Sequence, residues 1–388
     1  MCAGGRGRLE NMTPIDSPLC SIHRELGAQL VEFAGWRLPL QFGSVAAEVR
    51  ACRQSAALFD ISHMGLVRLR GDGARTAISR LLTRAVTSIP LGCASYALLL
   101  NESGGILDDL FVMVESDAQV LLVVNAVNHE KDVAWVRQHL GAEAGVQIED
   151  PRGATFGLAL QGPEAKGMVT RVTPGQEPPM LFATLQKMEI GGADVLVSRT
   201  GYTGEDGFEV FGESGDGINV WRALMAPTGG HGNSRPTAGG LAARDVLRQE
   251  MGYPLWGNDL DEDTTPAEAG LQWAVNREHE FVGRAALEGG ERTRRRVGFV
   301  VEGQGVARAG DVIAWKGEAV GTVTSGTYSH NLQAAIGQGY VKLHPELVSG
   351  ATVEIAGRGR ALPARLARMP LIPAQTRPSW RSTKETTP

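Results

Sequence analysis

The chain lacks the marks of several large protein classes. It has four cysteines in 388 residues, Cys2, Cys20, Cys52 and Cys93. None is spaced CxxC and together they match no disulfide framework, so reduced thiols in a cytosol-like compartment are expected. The eight histidines fall in no HExxH or comparable ligand spacing, so no metal is expected. There is no Walker-A loop, no GxSxG elbow and no complete GxGxxG, which removes the usual signs of ATP hydrolysis, serine-hydrolase chemistry and dinucleotide binding. No apolar run approaches the roughly 18–20 residues of a membrane span. The initial MCAGGRGRLENM has no apolar core and does not read as a secretory signal. A soluble protein is expected, in the cytoplasm or, from a eukaryote, in the mitochondrial matrix.

Charge is present but unevenly placed. The net charge is −5, yet from residue 291 onward there are 14 lysines and arginines against 7 aspartates and glutamates, which leaves −12 for residues 1–290. RTRRR, residues 292–296, and the arginines at 358, 360, 365 and 368 supply much of the excess. Two readings stand: solvated arginines on ordinary strands, or a basic patch for an acidic partner or a polyanionic ligand tail. With aromatics at 6% and few of them among the arginines, nucleic acid is not the expected partner.

A hydrophobic content of 43% over this length allows a large core and more than one domain. Helical spacing predicts helices in HRELGAQLVEFAG, SVAAEVRACRQSAAL, GARTAISRLLTRA, NHEKDVAWVRQHL, GINVWRALM and LAARDVLRQEM. Strands are predicted in LVRLRG, in the two arms of ASYALLLNESGGILDDLFVMVE, in QVLLVVNA, TFGLALQG and GFEVFGE. Elements alternate without βαβ glycine signatures, so α+β is favoured over a doubly wound sheet. Beyond residue 290 only short strands and glycine turns remain, which predicts a separate small β-barrel or sandwich over 291–374. Residues 13–290 form the larger region, residues 227–240 read as a loop, and 375–388 as a polar, frayed tail.

Three stretches gather polar groups among glycine turns. In GGILDDLFVMVE, two carboxylates sit mid-strand, Asp108 on the face of Ile106, Leu110 and Val112, and Asp109 on that of Leu107, Phe111 and Met113. Whichever face is buried takes an acid with it, and an unpaired buried carboxylate is costly. Asn125 lies on the next predicted strand. In RTGYTGEDGFEV, Tyr202, Glu205, Asp206 and Glu209 crowd around glycines, and Glu209 stands between Phe208 and Val210. In ARDVLRQE, Arg244 and Arg248 are one turn apart on one helix face. Glycine-rich acidic turns are commonly plain hairpins, but in-strand acids such as Asp109 and Glu209 are seldom kept without partners.

EFAGWRLPLQFGS, LFDISHMG, LLLNESGGILDDL, RTGYTGEDGFE, GNDLDEDTTPAEAGLQWAV and VTSGTYSHNL together resemble the aminomethyltransferase, or T-protein, family of the glycine cleavage system, from about Pro18 to Pro373. The resemblance implies a cloverleaf: two interleaved α+β portions around a central folate site, with a C-terminal antiparallel β-barrel. It implies tetrahydrofolate as cosubstrate and, as the other substrate, an aminomethyl group on the lipoyl arm of H-protein. Glycine decarboxylase and dihydrolipoyl dehydrogenase would be the associated components, and no nucleic acid or membrane is involved. Ammonia, 5,10-methylenetetrahydrofolate and the reduced lipoyl carrier would be the products.

On the same resemblance, Asp109, the second aspartate of LDDL, matches the family's essential acid, with Asp108 as its solvent-side or structural neighbour. Glu209 matches the position that grips the pterin, and Arg244 a ligand-contacting arginine. Tyr202, Asn125, Tyr96 and Trp273 match pocket-lining places, although ordinary packing would also account for them. Some positions depart from the family pattern: Arg84 stands where an amide is usual, Trp256 replaces a tyrosine before GND, and the tail MPLIPAQTRPSW lacks the tyrosines of many relatives. Two rival readings are a folate-dependent demethylase of the same superfamily and a non-catalytic folate-binding factor for iron–sulfur assembly. The first is often fused to an oxidase domain, for which this chain has no room. The second carries a cysteine signature, and NREHEFVGRAAL has no cysteine.

Overall fold

The computed structural model describes residues 13–141, 145–227, 235–290, 292–357 and 359–376. Two antiparallel-rich sheets and a barrel account for most of the strands. The first sheet runs Cys93–Leu100, Ile106–Ser116, Gln119–Val124, Gly65–Arg70 and Gln147–Glu149 in spatial order. The second runs Leu185–Ile190, Ala193–Ser198, Gly207–Glu213, Thr155–Gln161, Ala57–Asp60 and Thr237–Gly239. A small sheet of Ile15–Asp16, Trp36–Gln41 and Gln29–Phe33 lies near the N-terminus.

Side-chain alternation explains the layering. On the first sheet, Val67, Leu69, Leu110, Val112, Val114, Val120 and Leu122 pack under the helices Ala74–Ser79 and His129–Leu140. The alternate residues Leu66, Met113, Leu121 and Val123 share a core with Phe59, Ala159, Leu196 and Phe211 of the second sheet. The far face of the second sheet, with Leu158, Leu160, Phe208 and Val210, is covered by the helices Ala165–Val172 and Gly217–Met225. The two sheets therefore pack face to face with helices outside. Every central strand is buried on both faces, which is why the strand segments read as nearly continuous apolar runs.

The turn before the Asp108-Asp109 strand needs both of its glycines. Gly104 has φ of +82°, where a side chain is strained. A Cβ on Gly105 would stand 1.7 Å from the Glu262 carbonyl oxygen. This close approach fixes the start of the strand against the segment 259–275, and Ile106 N–H donates to Thr264 O at 3.0 Å.

The C-terminal strands close a six-stranded barrel in the order Arg294–Val301, Ala334–Lys342, Glu318–Ser329, Val312–Trp315, Thr352–Gly357 and Arg360–Ala367, all pairs antiparallel. The α+β class and the barrel expected from the sequence are what the fold shows. The barrel is fastened to the rest by buried polar contacts. Arg248 donates to Asp259 at 2.7 Å and to Ser325 at 2.9 Å, and Glu250 accepts from Ser329 at 2.6 Å and from Arg53.

Some element predictions need correction. HRELGAQLVEFAG is not one helix: the helix covers Cys20–Glu25, and Gln29–Phe33 pairs with Trp36–Gln41 as a strand. In GARTAISRLLTRA the helix stops at Ser79, whose hydroxyl accepts from Val86 N–H at 2.9 Å. The tail is not frayed from its first residue, because Gln375 N–H donates to Gly204 O at 2.7 Å. Residues 377–388, residues 228–234 of the predicted loop, and Cys2 lie outside the described residues. Cys20, Cys52 and Cys93 are free thiols, all buried. Among the described residues no helix is long and apolar enough to cross a membrane.

Candidate active site

Parity decides where the two in-strand acids point. Asp109 shares a face with Phe111 and Met113, and Glu209 shares one with Phe211, so both turn toward the space between the two sheets. Asp108 turns the other way, toward the covering helix, and is fully buried. It is therefore not a solvent-side neighbour. The strand has a covered face on either side, and the deeper of its two acids is Asp108.

Asp108 is structural. It accepts from Asn125 N–H at 2.9 Å, from Asn125 Nδ2 at 2.9 Å and from Asn128 Nδ2 at 2.6 Å. Asn128 stands at the N-cap of the helix His129–Leu140, but its side chain serves Asp108 and makes no bond to the helix end.

Asp109 is only partly buried. Its Oδ2 accepts from the Tyr96 hydroxyl at 2.9 Å and its Oδ1 from Asn125 Nδ2 at 3.0 Å. Burial first, and then the Asp108 charge, push its carboxyl from 3.8 to about 7, against the hydrogen bonds from Tyr96 and Asn125 that favour the ionised form. An acid so placed exchanges its proton near neutral pH.

Tyr96 lies in the strand Cys93–Leu100, opposite Phe111 in register. Its ring stacks on Trp273 with centroids 5.2 Å apart and an angle of 22°. Trp273 is 58% exposed, so one large aromatic face stays available beside Asp109. Arg84, the departure from the family pattern, donates to Trp273 O and has its guanidinium 5.9 Å from the indole centroid. It braces this aromatic platform. Trp256, the second departure, donates from Nε1 to Ile106 O at 2.9 Å.

The second group of residues forms around Glu209. This side chain is 8% exposed, and its Oε2 accepts from Thr200 Oγ1 at 2.6 Å. Burial raises its pKa, partly offset by the Thr200 hydroxyl and by Arg244. Arg244, from the helix Leu241–Met251, is lowered by burial against the pull of Glu209 and Tyr202, and its Nη1 is buried without a hydrogen-bond partner. An orphaned guanidinium N–H costs about 1–3 kcal/mol unless something meets it. Arg244 lies 5.0 Å from the Tyr202 ring centroid, and the Tyr202 hydroxyl donates to Pro254 O. Tyr202 connects the two groups, since both Asp109 and Arg244 act on its hydroxyl through space.

All seven residues singled out from the sequence therefore belong to two linked groups: Asp109 with Tyr96, Asn125 and Trp273, and Glu209 with Arg244 and Tyr202. Other sequence candidates serve the scaffold. Glu205 takes Arg53 at 2.9 Å, and Asp206 holds buried Arg199 through two bonds of 2.9 and 2.6 Å. Arg248 belongs to the barrel contact. Sequence reading missed Thr200 and Asn128. A signal existed for the second, two asparagines three apart where a strand ends and a helix begins. Two surface grooves, one of about 360 Å³ beside Trp315 and one of about 330 Å³ beside Phe42 and Met225, share none of these residues.

Comparison with known proteins places this arrangement in context. Residues 19–279 match the family described as the GCVT N-terminal domain, and residues 294–372 match the glycine cleavage T-protein C-terminal barrel domain. The chain is 44% identical to an aminomethyltransferase of Rubrobacter xylanophilus, over 95% of this chain and 96% of that one. It is 40% identical to one of Halothermothrix orenii, over 92% and 99%. The crystal structure of glycine cleavage system aminomethyltransferase T from Bartonella henselae matches with a TM-score of 0.85 at 34% identity, covering 93% of this chain and 99% of that one.

Proposed function

The chain belongs to the glycine cleavage T-protein family of aminomethyltransferases, and on that premise we propose that it moves the methylene of an S-aminomethyldihydrolipoyl group on H-protein to tetrahydrofolate. Ammonia, 5,10-methylenetetrahydrofolate and the reduced lipoyl arm are the products. H-protein is the direct partner, and glycine decarboxylase and dihydrolipoyl dehydrogenase are the neighbouring components. The observation that carries the reading is Asp109: a partly buried acid whose pKa is held near neutral, facing the space between two sheets, with an arginine in the linked group whose Nη1 is buried without a hydrogen-bond partner.

The residues present fit a reduced folate. A pterin offers a flat ring with adjacent N–H donors and a carbonyl acceptor. Glu209 is a buried carboxylate able to accept paired N–H bonds, and the orphaned Nη1 of Arg244 is a donor in want of an acceptor. The Tyr96–Trp273 stack supplies an aromatic surface. When bound, tetrahydrofolate supplies the nucleophilic nitrogen that receives the one-carbon unit. Asp109, ionised, would stabilise positive charge developing at the carbon in transfer, take up the proton shed by the nitrogen that bonds that carbon, and return it to the departing amine, which leaves as ammonia. Tyr96 and Asn125 fix the carboxylate by one hydrogen bond to each oxygen, so its orientation does not have to be found during the reaction. Tyr202 and Arg244 align the opposite side.

The test is ammonia release from aminomethylated H-protein, with and without tetrahydrofolate. Release that depends on both supports the reading. Efficient turnover of a small methylated amine, with none from the loaded carrier, would overturn it in favour of the demethylase.

A further inference from the structure

Behind Asp109, on the face of the strand turned toward the helix His129–Leu140, the reaction just described leaves a carboxyl unused. Asp132 is 1% exposed, in the first turn of that helix, and neither of its side-chain oxygens has a donor among the described residues. Its backbone N–H donates to Asn128 O at 2.8 Å, one turn on from the residue whose side chain holds Asp108 at 2.6 Å, which sets its carboxyl beside that of Asp108 within hydrogen-bonding reach. Two carboxyl groups can share such a contact only if one carries a proton. Asp108 already accepts from three N–H groups of Asn125 and Asn128, so it is the acceptor of the pair. The proton therefore sits on Asp132. Burial first, and then Asp108, raise Asp132 well above the usual carboxylate range, consistent with that placement.

Other neighbours do not supply a competing partner. Lys131, beside it in sequence, donates to Glu262 at 2.8 Å and lies 3.8 Å from the Trp256 ring centroid. His129, on the same turn, is bonded to Asp150 at 2.8 Å. Among the described residues no group of three or more His, Cys, Asp or Glu side chains is set to hold a metal ion, so the three aspartates are not a cation site.

We propose that Asp132 is a positioning residue for the transfer: as the neutral acid it donates a hydrogen bond to Asp108, and the resulting Asp108–Asp132 pair, carrying a single negative charge, tunes Asp109 from behind. The proposal rests on Asp109 being the acid of the reaction. The charged and titratable groups facing Asp109 are Asp108 and Asp132 behind it, Tyr96 on the neighbouring strand, and Tyr202 across the site, with Arg296 acting on Tyr96 from the barrel. Of these, the proton on Asp132 is what keeps the charge behind Asp109 at one and draws it away from Asp109. Removing the donor leaves the Asp108 charge less well satisfied and its field on Asp109 stronger. Asp109 should then ionise at higher pH.

Two variants separate this from packing. Asp132→Asn keeps a donor and no charge; Asp132→Leu removes the donor. The readout is carboxyl carbon NMR of aspartate-labelled protein, with Asp109 identified by its loss in Asp109→Asn, alongside the pH profile of turnover. Wild-type Asp109 should titrate near pH 7, with Asp132→Asn close to it. In Asp132→Leu the midpoint and the acid limb of turnover should both move up by roughly half a pH unit or more. A purely structural role would lower thermal stability and leave the midpoint in place, which would overturn the proposal, as would Asp132→Asn shifting as far as Asp132→Leu. Should Asp132→Leu fail to fold, the wild-type spectrum still decides. One aspartate carboxyl, absent in Asp132→Asn, must stay protonated from about pH 5 to 8, well above the ordinary aspartate range. Its titration within that interval would end the proposal. If instead wild type gave no folate-dependent ammonia release, the functional reading would fail while these titrations could still be read.

Discussion

Replacing Asp109 by asparagine should cost activity and restore stability, and the pH dependence of the second effect is its signature. The acid is held at about 7 in the fold against an ordinary value of 3.8. Because the folded value is the higher one, ionising Asp109 weakens the fold. Below about pH 4 both folded and unfolded chains hold the proton and there is no penalty; the penalty grows as pH rises and is complete above about pH 7. At 1.36 kcal/mol per pH unit the full difference is at most about 4 kcal/mol, and partial exposure reduces it. Asparagine is nearly isosteric and never ionises. The stability of Asp109→Asn relative to wild type, from urea unfolding, should therefore improve by about 1–3 kcal/mol between pH 5 and pH 8. Over the same range wild-type turnover should rise through pH 7 and flatten. The variant should fall at least about 10²-fold, a loss of roughly 2.7 kcal/mol of transition-state stabilisation, with folate affinity largely kept. A relative stability identical at pH 5 and pH 8, or near-normal turnover, would refute the reasoning.

Other substitutions should separate ligand contacts from scaffold. Glu209→Ala and Arg244→Ala should each weaken tetrahydrofolate binding by roughly 5- to 150-fold, about 1–3 kcal/mol, in titration calorimetry; unchanged affinity in both would remove them from the ligand site. Asp108→Asn puts an amide among the N–H donors of Asn125 and Asn128 and should destabilise by about 1–3 kcal/mol, a larger effect on unfolding than on folate affinity. Removing Arg294 and Arg296 together should lower the thermal midpoint measurably, since they donate to Glu268, Thr264, Ala269, Gly252 and Gln338. An unchanged midpoint would mean that these bonds contribute nothing net.

Periodicity was a reliable guide where one face meets one core. GINVWRALM and LAARDVLRQEM are helices over the residues their spacing marked, and GFEVFGE is a strand. It failed where long-range pairing overrides local preference, as in QLVEF, which Gly27 at φ +73° releases from the preceding helix to pair with Trp36–Gln41. The acids show the same limit. Alternation correctly assigned Asp108 and Asp109 to opposite faces, but it could not say that both faces are covered, one by helices and one by another sheet. That knowledge belongs to tertiary structure. Nor does helical spacing alone show that Asp132, in the first turn of its helix, is buried.

The basic C-terminal region makes a related point about charge counts. An excess of +7 from residue 291 onward allows a patch on which an acidic carrier could dock. In the fold, Arg294 is paired with Glu268, Arg295 donates to Leu347 O, Arg296 is spent on carbonyls and Gln338, and Arg292 bonds Arg294 O. Arg294 and Arg296 join the barrel to the short helix Pro266–Ala269 and to the end of the helix Leu241–Met251. That junction lies next to Trp273, whose ring stacks on the tyrosine that holds Asp109. Two arginines of a run that composition reads either as solvated strand residues or as a patch for a partner are thus internal braces of the fold. Arg294 and Arg296 fix the barrel against the segment carrying the aromatic platform, while Arg292, Arg360, Arg365 and Arg368 of the same excess stay exposed, so a salt dependence of partner encounter would be carried by those four and not by the whole run.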